Sequence, residues 1–211
     1  MKASIPILLA VEDPLSETVL RRVLADRPVR YAIGAVHSRG GSGYLKKQAS
    51  AFNNAAKAGP FLLLTDLDQH SCPPELVTAW LSGKPKHDCF LFRVAVREVE
   101  SWLLGDMLRL KSFLHVKNAP AIPAPEALPD PKQELLRLAL RGRVRQMREA
   151  LVWRNESSGR LFQGPDYNGT LAHFVTHQWD ISAARQACPS LERLFAALHR
   201  LEAKCALGPQ P

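Results

Sequence analysis

Long apolar runs are missing from this 211-residue chain. No stretch approaches the roughly 18 uninterrupted apolar residues of a membrane span, so no membrane partner is expected. The run Ile5-Pro6-Ile7-Leu8-Leu9-Ala10-Val11 follows a single lysine and leads into Glu12-Asp13. It lacks a cleavage-site pattern and reads as a strand rather than a signal peptide. Cysteine is scarce: four residues, at 72, 89, 188 and 205. No two are spaced as a zinc knuckle or a CxxC redox pair. Without an export signal, they are expected to be reduced thiols in a cytoplasm. Acids are outnumbered, 20 against 28 Lys and Arg, which gives a net charge of +8 and a pI near 9.6. That balance favours a polyanionic partner. Complete phosphate-loop motifs are also lacking. Arg39-Gly40-Gly41-Ser42-Gly43 is neither a Walker loop nor a full GxGxxG. Plain flexibility is the favoured reading there; the other is a phosphate cradle of free amides beside Lys46 and Lys47.

What is present is a globular composition, 46% apolar and 23% charged, long enough for one large domain or an ordinary domain with an appendage. Nearly continuous apolar runs predict buried strands over 4–11, 29–36, 61–65 and 89–96. Helical spacing predicts helices over 17–26 (capped by Ser16), 44–58, 73–81 and 97–110. Strands alternating with helices imply a parallel sheet with covered faces. Prolines at 120, 123, 125, 129 and 131 mark a stiff connector, and the pattern beyond it is helical over 132–152, 168–177, 180–187 and 190–205. The expected organisation is an α/β domain over 1–115, a Pro-rich connector over 116–131 and a helical region over 132–211.

Ligand sites of open α/β sheets lie at the carboxyl ends of the strands. The first predicted strand ends in Glu12-Asp13 and the third in Asp66-x-Asp68. Carboxylates converging there repel unless a cation sits between them, and hard oxygens suit Mg²⁺ or Mn²⁺. The bland alternative makes Asp66 and Asp68 turn formers or helix caps.

Val11-Glu12-Asp13-Pro14-Leu15-Ser16-Glu17 resembles the strand-end motif of TOPRIM domains, a Val-Glu-Gly followed shortly by Ser or Thr and an acid. Leu63-Leu64-Thr65-Asp66-Leu67-Asp68 resembles their second motif, the DxD. Glu98-Val99-Glu100-Ser101-Trp102-Leu103-Leu104-Gly105-Asp106 looks like the Glu-x-Trp-Leu-Leu-x-Asp helix of a bacterial TOPRIM-like family similar to the nuclease part of OLD (overcoming lysogenization defect) proteins. Pro131-Lys132, Gly164-x-x-Tyr167, Phe174 with Trp179-Asp180, and Cys188-Pro189-Ser190-Leu191 extend the resemblance over nearly the whole chain, in short motifs. Asp13 departs from it, standing where the family usually has Gly.

The resemblance implies a TOPRIM-like four-stranded parallel sheet flanked by helices, followed by a small helical C-terminal region. It implies Glu12 as general acid, general base or ligand, with Asp66 and Asp68 holding Mg²⁺ (or Mn²⁺). Glu100 becomes a fourth candidate ligand, for a second ion; otherwise it is a first-turn acid favoured by the helix dipole, as is Glu17. A topoisomerase needs a nucleophilic tyrosine, and the chain has only Tyr31, Tyr44 and Tyr167. The expected activity is therefore phosphodiester hydrolysis of nucleic acid. The alternative is a non-catalytic nucleic-acid- or protein-binding module of a larger complex, with an ATPase or other protein partner, in phage defence. A haloacid-dehalogenase-type phosphatase also uses DxD, but near its N-terminus, and leaves Glu12 idle.

Arg137, Arg141, Arg145 and Arg148 recur at helical spacing and are expected to form one phosphate-binding stripe on a helix that Gly142 bends or breaks. Balancing glutamates at i±4 are read as absent; the alternative is a solvated helix face. His173 and His177 stand four apart but lack a third ligand, so they read as ordinary core or surface histidines. Trp102, Trp153 and Trp179 are expected to pack between sheet and helices.

Overall fold

Apolar runs with little polar interruption cannot be half-exposed, so they fold where both sides are covered. Three of them become β1 (Ile5–Ala10), β3 (Phe61–Asp66) and β4 (Phe90–Ala95), and the more polar β2 (Tyr31–His37), whose residues are half-buried or exposed, takes an edge. They pair as an all-parallel sheet in the order β2-β1-β3-β4, with every residue of β3 buried. α1 (Pro14–Ala25), α2 (Gly41–Ala55) and α3 (Pro73–Trp80) make the crossovers. This is the expected α/β architecture. The computed structural model describes residues 4–38 and 40–206. Arg39, and with it part of the glycine-bearing loop, lies outside the described residues.

Two compact units form. Unit one takes the chain up to residue 96 and again from 190 onward; unit two is residues 97–189. The sequence-based boundaries at 115 and 131 thus fall inside unit two. Unit two contains α4 (Val99–Leu104), α5 (Met107–Phe113), α6 (Pro131–Leu140), α7 (Arg145–Leu151), α8 (Tyr167–His177) and α9 (Ile181–Ala187). It also contains an antiparallel hairpin of β5 (Val152–Arg154) and β6 (Leu161–Gln163). α10 (Pro189–Ala206) returns the chain to unit one.

In unit one, Leu45 and Phe52 of α2 and Leu76 and Trp80 of α3 pack with Phe61, Leu63, Phe90 and Phe92 of the sheet. Each such side chain contributes roughly 1.5–3 kcal/mol by leaving water. Leu15, Val19, Leu20, Val23 and Leu24 form the buried stripe of α1, and Leu191, Leu194, Leu198 and Leu201 that of α10. In the described residues no helix is long and apolar enough to cross a membrane.

Several local expectations need correction. α1 begins at Pro14, not 17: Asp13, rather than Ser16, is its cap and accepts from the Ser16 amide at 2.8 Å. α2 begins at Gly41. The helix expected over 97–110 is two helices, parted at Gly105-Asp106, where the Asp106 carboxylate caps α5. A Cβ at Gly105 would meet the Cys188 sulfur at 2.9 Å, so the close approach requires glycine. The helix expected over 132–152 breaks between Leu140 and Arg145. There Gly142 passes so near the Leu114 carbonyl that a Cβ would stand 2.6 Å from it. Trp153 is 54% exposed on the hairpin, whereas Trp102 and Trp179 are buried.

Candidate functional site

In this sheet order, adjacent strands β1 and β3 send their crossovers in opposite directions. That switch point opens the crevice where α/β sheets bind ligands. Glu12 lies two residues beyond the end of β1, and Asp66 is the last residue of β3. The two loops are joined directly. One Glu12 carboxylate oxygen accepts from the Asp66 amide at 3.0 Å and also from the Thr65 hydroxyl. The Leu67 amide continues the sheet by donating to the Ala95 carbonyl at 2.9 Å. The chain then turns sharply, with Asp68 exposed in the left-handed region at φ 49°. Aspartate tolerates that conformation better than most residues, and such backbone outliers cluster at functional sites.

The electrostatics are those of an acid-rich strand end. Burial raises the Glu12 pKa above the ordinary carboxylate value, the Thr65 and Asp66 hydrogen bonds oppose this, and the nearby Asp68 and Asp13 carboxylates push it further up. Asp66 is 9% exposed. Asp13 spends one oxygen on the α1 cap, and Glu17 is paired with Arg21 at 2.8 Å. So the structure brings Glu12, Asp66 and Asp68 to one end of the sheet.

Among the described residues no three His, Cys, Asp or Glu side chains stand close enough to hold an ion together. The donor chemistry nevertheless fits Mg²⁺. That ion commonly takes one or two carboxylates and completes its shell with water and substrate phosphate. Glu12 and the two aspartates are donors of that kind at one end of the sheet, but a cage of three carboxylates is not built among the described residues.

Glu100 belongs to unit two. It is buried at 3% exposure, accepts from the Tyr167 hydroxyl at 2.9 Å and lies 3.5 Å from the Lys132 ammonium, which also pairs with Glu98. Burial raises its pKa; Lys132 opposes the rise and Glu98 adds to it.

The four arginines do not make one stripe, because the helix break separates them. Arg137 on α6 pairs with Glu134, and Arg145 on α7 pairs with Glu149 at i+4, a balancing glutamate after all. Arg141 caps the end of α6 and donates to the Asn118 carbonyl. Arg148 donates to the Gly142 carbonyl at 3.0 Å. His173 and His177 are exposed and stacked, their ring centroids 4.3 Å apart.

Two features escaped sequence reasoning. Thr65 orients the Glu12 carboxylate, and its only signal is a hydroxyl in an otherwise apolar strand. The second is a cavity of about 530 Å³ at the outer edge of β4, with Arg93, Arg193 and Lys86 among apolar walls that include Phe92 and Val94. Burial lowers the Arg93 pKa, as do its neighbours Arg200 and Arg193. An arginine inside an apolar strand was the visible sign.

No protein-family model matches the chain, and no curated protein or solved structure gives a significant match to it.

Proposed function

We propose that the carboxyl end of the sheet is a divalent-cation site at which nucleic-acid phosphodiesters are hydrolysed, in the manner of the TOPRIM nucleases the sequence resembles. The observation that carries this reading is the hydrogen bond tying Glu12 to the Asp66 amide across the β1–β3 switch point. Mg²⁺ or Mn²⁺ held there by Glu12, Asp66 or Asp68 would polarise the phosphoryl group and acidify bound water. Burial and the neighbouring acids raise the Glu12 pKa, the direction that favours a carboxyl group able to carry a proton to or from the reacting oxygens. Thr65 fixes its orientation. The excess of basic residues elsewhere would draw in a polyanion.

A second reading is a binding module without catalysis, favoured by the lack of a three-residue metal group among the described residues. A cleavage panel separates the two. Single- and double-stranded DNA and RNA are incubated with the full chain in Mg²⁺, Mn²⁺ or chelator. Metal-dependent cleavage lost in Asp66→Asn is the expected result. Full cleavage by Asp66→Asn overturns the cation mechanism; no cleavage under any condition, with binding indifferent to chelator, selects the module.

A further inference from the structure

In the hairpin of unit two, Trp153 pairs directly with Phe162 across the two strands. Side chains alternate along a strand, so Asn155 and Arg160 share this face, while Val152 and Leu161 point the other way. Val152 is buried and Leu161 half-buried, whereas Trp153 and Phe162 are 54% and 42% exposed. Their ring centroids are 5.2 Å apart, and the Arg160 guanidinium lies 6.0 Å from the Phe162 ring centre. Two large aromatic faces open to solvent are costly to keep unless something stacks on them.

Hydrogen bonds hold both ends of the platform. Asn155 closes the turn through the Ser158 amide and hydroxyl, and Gly159, at φ 68°, donates to the Asn155 carbonyl at 2.8 Å. Gln133 of α6 donates to the Leu161 carbonyl at 3.1 Å, and Gly164 ties the hairpin base to Leu151 at 2.9 Å. A preformed surface loses little freedom when it binds.

Charge identifies the occupant. Between residues 134 and 162 there are seven arginines and three glutamates, of which Glu134 and Glu149 pair with Arg137 and Arg145, leaving a net positive stretch that includes Arg160 beside the Phe162 ring. An apolar protein surface would match the rings but not this charge. A polyanion with flat, apolar faces matches both: bases stack on the rings and phosphates meet the guanidinium groups. Duplex bases are already stacked and present only their edges, so the bases must be unpaired.

We infer that the Trp153–Phe162 face of the hairpin is a stacking site for single-stranded nucleic acid. The inference rests on the proposed nucleic-acid function for its biological sense, but binding is measured separately from cleavage.

The tryptophans supply the readout. Trp80, Trp102 and Trp179 are buried, so Trp153 is the exposed fluorophore. The full chain is titrated with an oligothymidylate of about 16 nucleotides, with a duplex of equal length, and with an abasic deoxyribose-phosphate chain of equal length. The oligothymidylate should bind most tightly and quench the acrylamide-accessible emission. Binding is followed in all variants by the fluorescence anisotropy of end-labelled oligothymidylate. Trp153→Ala and Phe162→Ala should each weaken it roughly 5- to 150-fold, with Trp153→Phe and Phe162→Leu retaining more. Circular dichroism checks that the variants are folded. Abasic chain or duplex binding as tightly as oligothymidylate overturns the inference, as do unchanged affinities in both alanine variants. A wild-type dimer made monomeric by Trp153→Ala, with nucleic-acid binding unaltered, assigns the rings to self-association instead. Stacking without cleavage at any metal removes the nuclease reading alone. Cleavage with binding indifferent to both rings removes this inference alone.

Discussion

The two ends of the parallel sheet each hold a largely buried glutamate, and the chain treats them in opposite ways. At the amino end of β2, Glu202 of α10 accepts two hydrogen bonds from Arg27, at 2.8 and 2.7 Å, and a third from the Tyr31 hydroxyl at 2.9 Å. Arg27 in turn lies 5.3 Å from the Phe195 ring centre. Burial raises the Glu202 pKa, but the Arg27 and Tyr31 bonds outweigh it and hold the carboxylate below its ordinary value. At the carboxyl end, burial raises the Glu12 pKa and the neighbouring Asp68 and Asp13 carboxylates add to the rise, while the Thr65 hydroxyl and the Asp66 amide only partly oppose it. A carboxylate with its own arginine is structural. One buried beside other carboxylates, and without a cation partner among the described residues, is the kind of group our proposal assigns to cation binding or proton transfer. The difference teaches where stability and chemistry reside in this unit.

The comparison breaks if the two glutamates respond alike to the same substitution. Glu12→Gln keeps the volume and the Thr65 and Asp66 contacts, so stability should be preserved. Cleavage, measured per folded molecule, should fall roughly 10²- to 10⁴-fold if Glu12 transfers the proton. Glu202→Gln should do the reverse. It leaves Arg27, whose side chain is 11% exposed, without its counter-charge, and denaturant unfolding should show a loss of about 3 kcal/mol. Cleavage per folded molecule should not change. Loss of stability in Glu12→Gln with none in Glu202→Gln would invert the assignment.

A pH series sharpens the same contrast with a smaller effect. Because the folded pKa of Glu202 is depressed, the unfolded chain binds the proton more readily. The stability it supplies is complete above the ordinary glutamate value of about 4.3 and is lost as pH falls through the lower folded value. Denaturation midpoints should therefore drop on acidification in the wild type and drop less in Glu202→Gln. Parallel curves would remove the ion pair from the account.

The framework of unit one was legible because period and length are properties of local sequence. Four apolar runs, each ending in a turn signal, specify a βα alternation, and the carboxyl-end rule then singles out Glu12, Asp66 and Asp68. The Arg27–Glu202 pair was not legible, since its partners are 175 residues apart and neither belongs to a motif. Nor was the return of α10 to unit one. Unit two hid more. Its hairpin strands are three residues each and fall almost wholly between 152 and 168, where the sequence pattern predicts neither helix nor strand. Asn155, Ser157, Ser158 and Gly159, all turn residues, betray the reversal. The Arg stripe failed for a related reason: helical spacing was counted across Gly142, where the chain leaves the helix to pass the Leu114 carbonyl.

The smallest expected effect belongs to that broken stripe. Replacing Arg141 and Arg145 together by Gln should weaken nucleic-acid binding evenly across sequences and flatten its salt dependence by about one to two in slope, if both meet phosphate. An unchanged slope assigns the two arginines to their observed partners, the Asn118 carbonyl and Glu149.

The central claim, that the carboxyl end of the sheet takes a divalent cation, is tested most directly by calorimetric titration of Mn²⁺ into the full chain and into Asp66→Asn and Glu202→Gln. Saturable binding in the wild type and in Glu202→Gln, lost or much weakened in Asp66→Asn, is the predicted result. No binding to the wild type, or equal binding to Asp66→Asn, would contradict it.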